Sequence, residues 1–377
     1  VLNESNRQSD ESPRDPQQDD TFEQESQEVI PELQPLSYFG TDFDVEGLVR
    51  RLNRGDIVVA RSGVRNDSLH GEMGFQRAFI WKKEQMDRFI ESLLLGFPIP
   101  GIFLVQQGDS SYLVLDGQQR LMTLEFFYSG ELGGGQTFTL ENVADEFRGL
   151  TYRTLSDTQR RALDTTFIHA TIVRYNISQG ENDSIYTLFE RLNTGGTTLY
   201  PQEIRVALYN GPLVELLREF NELPDWRDIY GPHSERLRDE ELILRFLAFY
   251  RNSDRYRRPL KAFLNEFLAD HRDLQDLDAE GLRRTFRETC DIANRALGKS
   301  TLRPGSQVNA AFADSILVGL ARRLEIGPIT GLASVTAARE SLLNDPEYLN
   351  SISSATASEE RVYKRLQIAS EAFRALP

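Results

Sequence analysis

Between residues 86 and 94 the apolar positions Met86, Phe89, Ile90, Leu93 and Leu94 recur at steps of three and four, which predicts one buried face of a helix. Gly96, Pro98 and Pro100 predict its end. Upstream, "DVEGLVRRLNRGD" suits a short helix, "IVVA" a strand and "EMGFQRAFIW" an extended segment. Downstream, "GIFLVQ" and "SYLVLD" flank "QGDS", predicting two strands joined by a tight turn. The second apolar run stops at Leu115. Asp116, Gly117, Gln118, Gln119 and Arg120 follow, and helical spacing then resumes, so strand, turn and helix are expected in that order. From Gly130 to Arg160 no period is sustained, while "FIHATIVRYN" at 167–176 reads as another strand. Asp183 is placed to cap a helix carrying Ile185, Leu188, Phe189 and Leu192, which "NTGGTT" breaks. Pro201 suits the first residue of the next helix, with Glu203 in its first turn.

Beyond Gly211 the period is helical throughout, as in Leu260, Phe263, Leu264, Phe267 and Leu268. The expected fold class is therefore α/β (α+β), with a mixed domain at 36–211 and an α-helical domain at 212–377. Residues 1–35 differ from both. They are acidic, rich in Gln, Ser and Pro, and too poor in apolar positions to offset the entropy of ordering, so a disordered tail is expected.

Charge refines this picture. The chain carries a net −15; the tail, with ten Asp or Glu against Arg7 and Arg14, holds −8 of it and leaves −7 for the body. Coating of nucleic acid by bulk electrostatics is disfavoured, whereas a local basic groove is not. The only lysines are Lys82, Lys83, Lys261, Lys299 and Lys364, so the cations are mostly planar guanidinium forks suited to phosphate, a bias that genome base composition also produces. The single Cys290 excludes an intramolecular disulfide and reads as a buried helix residue. The four His, at positions 70, 169, 233 and 271, have no zinc spacing. No run reaches the length of a membrane span and no apolar segment follows positive charge near the start, which predicts a cytoplasmic protein.

The joint at 116–120 is the main candidate for chemistry. A strand running into a helix presents backbone N–H groups where the helix dipole favours an anion. Gly117 permits a sharp turn, Gln118 and Gln119 both donate and accept hydrogen bonds, Arg120 brings a fork for phosphate oxygens, and Asp116 can hold a cation, orient a water or cap the helix. The same residues also suit a plain turn with a capped helix and a surface arginine. Two further polar clusters are Gln76 and Arg77, which interrupt an apolar segment, and Asn193, Glu203 and Arg205 around "NTGG", where an ordinary interhelical linker is the simpler reading.

In their order and separation, "GFQRAFIWKKEQMDRFIESLLLGFPIPGIFL", "YLVLDGQQRLMTL" and "LFERLNTGGTTLYPQEIRVALYNG" resemble the N-terminal domain family of GmrSD-type restriction endonucleases, over residues 40–215. The resemblance implies a ParB/sulfiredoxin-like fold with a helical extension, serving as a nucleotide-handling module in bacterial restriction and anti-phage defence against foreign, often modified, DNA. It implies NTP binding or hydrolysis through Asp116, Gly117, Gln118, Gln119 and Arg120, with Gln76 and Arg77 facing the same site. Asn193, Glu203 and Arg205 match in position without an assigned chemistry and stand as candidate supporting residues. Many relatives carry a second domain with a His-based, metal-dependent nuclease motif that has no equivalent in this C-terminal part, and sulfiredoxin-like chemistry needs a cysteine beside the phosphate site, whereas Cys290 lies in the helical half.

The leading expectation is an NTP-binding and NTP-hydrolysing subunit of a DNA-restriction system. Arg120 and Arg77 would stabilise phosphate charge, and Asp116 would position water or Mg²⁺. A non-catalytic nucleotide or DNA sensor that docks a separate nuclease is the alternative, and a stand-alone ParB-like nuclease is a further one. Expected partners are an NTP, DNA and a separate nuclease subunit, with no membrane; self-association is left open.

Overall fold

The computed structural model describes residues 33–59, 81–107, 111–132, 135–174, 182–192 and 200–377. The expected tail over 1–32, the extended segment over 72–80 and the turn at 108–110 lie outside the described residues. The last residues assigned to the tail are docked, since the Gln34 N–H donates to Ser184 Oγ at 2.7 Å.

The described residues open with a strand that the hydrophobic pattern did not predict, β1 (Ser37–Asp44). Its side chains are mostly exposed at the sheet edge, so it lacks the burial that writes a pattern into a sequence. Asp44 then accepts from the Gly47 N–H and caps α1 (Val45–Arg54), which Gly55 closes in a left-handed conformation. β2 (Ile57–Val59), α2 (Lys83–Leu94), β3 (Ile102–Gln107) and β4 (Ser111–Asp116) follow as expected. Next come α3 (Gln118–Ser129) and a small hairpin of β5 (Glu131–Leu132) with β6 (Gln136–Thr137). α4 (Asp157–Thr165), in a region without sustained period, leads into β7 (Phe167–Arg174). α5 (Asn182–Leu192) and α6 (Pro201–Leu208) complete this half.

Five strands form one mixed sheet in the order β1-β7-β3-β4-β2. β1 runs antiparallel to β7, β3 lies parallel to β7 and antiparallel to β4, and β2 is parallel to β4. Both faces are covered. Ile57, Val59, Ile102, Leu104, Val114, Ile168, Ala170 and Ile172 enter a core shared with α1, α2, α3 and α4. Val105, Leu113, Leu115 and Val173 enter a second core shared with α5, α6 and the helical half.

That half consists of α7 (Pro212–Asn221), α8 (Pro224–Tyr230), α9 (Arg238–Asn252), α10 (Leu260–Asp270), α11 (Ala279–Leu297), α12 (Ala310–Leu324), α13 (Leu332–Leu343), α14 (Pro346–Ser353) and α15 (Glu359–Arg374). Among the described residues no strand follows Gly211, and no helix is long and apolar enough to cross a membrane. Cys290 is fully buried on α11, where desolvation pushes its thiol up from the ordinary range. Asp314 on α12 accepts from two buried guanidinium groups, Arg245 at 2.6 Å and Arg365 at 3.0 Å, and so ties α9 and α15 to itself.

The first turn of α9 buries Arg238, Asp239, Glu240 and Glu241. Desolvation, with the Asp239 charge beside it, pushes the Glu240 carboxyl from 4.5 up to about 7. Its contribution to stability is fully present below the unfolded value and is lost as pH rises through the folded one. Relative to the Glu240→Gln variant, wild-type stability should therefore fall by about 2–3 kcal/mol between pH 5 and pH 8. Urea unfolding of both proteins at the two pH values measures this, and a pH-independent difference would contradict it.

Candidate functional site

β4 ends at Asp116 with an irregularity: Phe103 faces Asp116 while Leu104 faces Val114, leaving Leu115 as the extra residue of a bulge. Leu113, Val114 and Leu115 are all buried before the chain turns, because the sheet is covered on both faces. Gly117 makes that turn at φ +99, in the left-handed region, and becomes the N-cap of α3. Its lack of a side chain matters twice, because a Cβ there would also stand 2.4 Å from Ile102 Cγ2. The glycine offers no side-chain oxygen to the first turn of α3.

Arg120 folds back over this joint. Its Nη2 donates to Asp116 Oδ2 at 2.8 Å and to the Gly101 carbonyl at 2.9 Å. The arginine side chain is 15 % exposed and the aspartate 43 %, so the cation is sheltered and the carboxylate faces outward. The buried Nε–H of Arg120 has no hydrogen-bond partner among the described residues. Gln119 Oε1 accepts from the Trp81 N–H at 3.2 Å and Gln118 Nε2 lies 3.9 Å from Met122 Sδ. The five residues are thus one assembly that fastens β4, β3 and the segment before α2 to the start of α3. The surface-arginine alternative does not describe it, because Arg120 is an internal tie.

Of the other candidates, Glu203 and Arg205 are engaged elsewhere. Gln76, Arg77 and Asn193 fall outside the described residues. Glu203 accepts from the Tyr200 N–H at 2.7 Å, capping α6, and pairs with Arg236 at 3.6 Å. Arg205 is buried and donates to Asn265 at 3.0 Å and to Glu241 at 3.4 Å, joining α6 to α10 and α9. Both act in the packing of the helical half. A metal at Asp116 would share a carboxylate already bound to Arg120, and among the described residues no group of three His, Cys, Asp or Glu is placed to hold one. The joint itself thus offers a cation one carboxylate.

Sequence reasoning missed Gly101, the acceptor that orients Arg120. Its role is carried by a backbone carbonyl, which any residue would supply, so the sequence holds no signal for it. It also missed His169, whose Nδ1 meets Asp42 Oδ1 at 2.8 Å across β7 and β1. That pair depends on a strand register that neither segment encodes alone.

Residues 74–210 match the family model described as the GmrSD restriction endonuclease, N-terminal domain. This is the family that the three motifs resemble, and its match contains the whole joint at 116–120. No curated protein matches the chain.

Gly117→Ala should cost about 2–4 kcal/mol, combining a left-handed backbone with a side chain forced into Ile102. Denaturant unfolding measures the loss. Adding Ile102→Ala should relieve the steric part and leave the backbone part, after allowing for the cavity cost measured in Ile102→Ala alone. A Gly117→Ala protein as stable as wild type would show that the joint tolerates another turn.

Proposed function

We propose that this chain is a nucleotide-binding, NTP-hydrolysing component of a DNA-restriction system. The observation that carries the reading is the joint itself: a strand-end carboxylate, a left-handed glycine opening a helix and a guanidinium folded over both. The match of residues 74–210 to the N-terminal domain of a restriction endonuclease supports the restriction setting. The helix N-terminus favours anionic oxygens. Arg120 adds a donor through its buried Nε, which has no hydrogen-bond partner among the described residues. Gln118 and Gln119 flank the same turn, and Gln76 and Arg77 would complete the phosphate contacts. Asp116 keeps Arg120 in place and presents its second oxygen outward to orient a water. In the alternative, that oxygen would hold Mg²⁺ brought with the phosphates, and the ion would supply charge neutralisation.

One observation favours a second reading, a non-catalytic sensor that docks a nuclease. Glu203, which would have been the carboxylate to stand beside Asp116, is engaged in capping α6 and in pairing with Arg236. Steady-state hydrolysis of NTPs by the purified chain, with and without DNA, separates the two. Turnover supports the enzyme, and saturable nucleotide binding without turnover supports the sensor.

Arg120→Ala should lower nucleotide affinity about tenfold to hundredfold, the worth of one charge-assisted hydrogen bond. It should also lower the unfolding temperature, because the same side chain ties Gly101 to Asp116. Arg120→Lys keeps a charge for Asp116 without the fork, so it should recover stability more fully than affinity. Equal recovery of both would make Arg120 a purely structural cation.

The chain by itself should not cut DNA efficiently; cutting should require a partner bearing a metal-dependent nuclease domain. Incubation with modified and unmodified plasmid, NTP and Mg²⁺ is the measurement. Rapid nicking that disappears in Asp116→Ala would make this domain the nuclease.

A further inference from the structure

β1 is the outermost strand of the sheet, and it lacks the usual devices that keep another strand away. Exposed edges are commonly blunted by shortness, lysine, proline or a bulge. The other edge among the described residues, β2, is only three residues long. β1 runs for eight, holds no lysine, arginine or proline, and keeps an unbroken register with β7. Its two acids are turned to other uses. Asp44 accepts from the Gly47 N–H to cap α1, and Asp42 Oδ1 is held on the β7 side by His169 Nδ1 at 2.8 Å.

The ladder decides which main-chain groups face outward. The Val45 N–H donates to the Thr166 carbonyl, one step beyond the pairing of Asp44 with Phe167. Hydrogen-bonded pairs alternate along an antiparallel ladder, so Phe43, Thr41 and Phe39 bond to β7. The N–H and C=O groups of Tyr38, Gly40 and Asp42 point the other way, and among the described residues no strand meets them. Tyr38 beside them is 73 % exposed.

We propose that two copies of this chain join edge to edge through β1, antiparallel about a two-fold axis at Thr41, so that two five-stranded sheets become one. The strand is complementary to itself in this register. Outward groups must meet outward groups, which sets Gly40 opposite Asp42 of the second copy and Tyr38 opposite Asp44 of the second copy. On the other face Phe39 meets Phe43 of the second copy and Thr41 meets its own counterpart, aromatic and threonine pairs that stabilise a ladder. Neighbouring registers are worse. A slide of two residues one way sets Asp42 against Asp42, a like-charge pair, and a slide of two the other way sets Phe43 against Ser37 and loses both aromatic pairs. A slide of one brings outward groups against groups already bonded to β7. The axis is normal to the sheet, so like faces stay together. Gly40, Thr171, Phe103 and Asp116 are successive partners across β1, β7, β3 and β4, and the dimer therefore carries both Asp116–Arg120 joints on one face.

Sedimentation equilibrium of the full chain across the micromolar range should give a mass that rises from one copy to two. Thr41→Cys tests the register: the two positions form a non-hydrogen-bonded pair with Cα atoms about 4.5 Å apart, within reach of a disulfide. Cys290 is fully buried, so the introduced thiol is the accessible one. Mild oxidation should link Thr41→Cys into a covalent dimer and leave Ser37→Cys, whose counterpart would be Val45, unlinked. Tyr38→Pro removes an outward N–H that β7 does not use, and Thr41→Asp sets two carboxylates directly opposite each other. Each should raise the dissociation constant about tenfold or more. Tyr38→Pro should leave the unfolding temperature of the monomer, measured at a concentration where wild type is dissociated, within a few degrees of wild type. A chain that stays monomeric throughout overturns the proposal. So does a dimer that both substitutions leave intact, or one in which Ser37→Cys links as readily as Thr41→Cys.

Discussion

β4 belongs to two hydrophobic cores at once, and the rest of the architecture depends on that double burial. Val114 packs toward α1 to α4, whereas Leu113 and Leu115 pack toward α5, α6 and the helical half. A strand covered on both faces cannot carry polar side chains along its length. Its polar groups are therefore deferred to its end, where Asp116 emerges from the sheet. The helical half is the cover of one sheet face, which is why the apolar content after Gly211 and the buried strand before Asp116 are parts of a single requirement.

The same burial makes the turn after Asp116 abrupt. α3 must start at once to lay Leu121, Met122 and Leu124 against the first core, and Ile102 of the neighbouring strand already occupies the space beside residue 117. Only glycine meets both demands. The direction in which α3 leaves the sheet then brings Arg120, one turn along, back above Asp116 and Gly101. An anion-friendly helix terminus and a sheltered guanidinium are thus placed together by core packing.

Much of this was legible. The periods of α2, α5, α11 and α15 come from one-sided burial, which a sequence records directly, whereas α3, α9 and α12 are buried nearly all round and show as apolar runs; the joint at 116–120 is visible as an interruption of the apolar pattern. β1 and α4 were not. β1 is an edge strand whose exposed residues follow no alternation, and α4 buries little beyond Leu163, too little to show a period. Glu203 and Arg205 illustrate the opposite failure. Their positions fit a motif, but a sequence does not reveal that a charged side chain is spent on a helix cap or on an interhelical network until the partners Tyr200, Asn265 and Glu241 are in place. His169 was invisible for a related reason, since its partner Asp42 is 127 positions away and meets it only through the β1–β7 register.

The abundance of arginine over lysine also acquires a structural sense. Arg205, Arg245 and Arg365 are buried, each linking helices distant in sequence, and Arg227 reaches buried Asp239 at 3.0 Å. A guanidinium keeps several donors in a fixed plane, so it can satisfy carboxylates and carbonyls from different elements together, which an ammonium on a flexible stem does less well. Burying such pairs adds little net stability, but removing one partner leaves an uncompensated charge. Several cations of this acidic chain are thus consumed inside it, and a general affinity for nucleic acid does not follow from their number. Arg120 belongs to the same class of internal ties, yet it differs in one respect: its carboxylate partner opens to solvent at a helix N-terminus, on the sheet face that also carries His169. The proposed recognition of phosphate therefore turns on where one tie meets the surface.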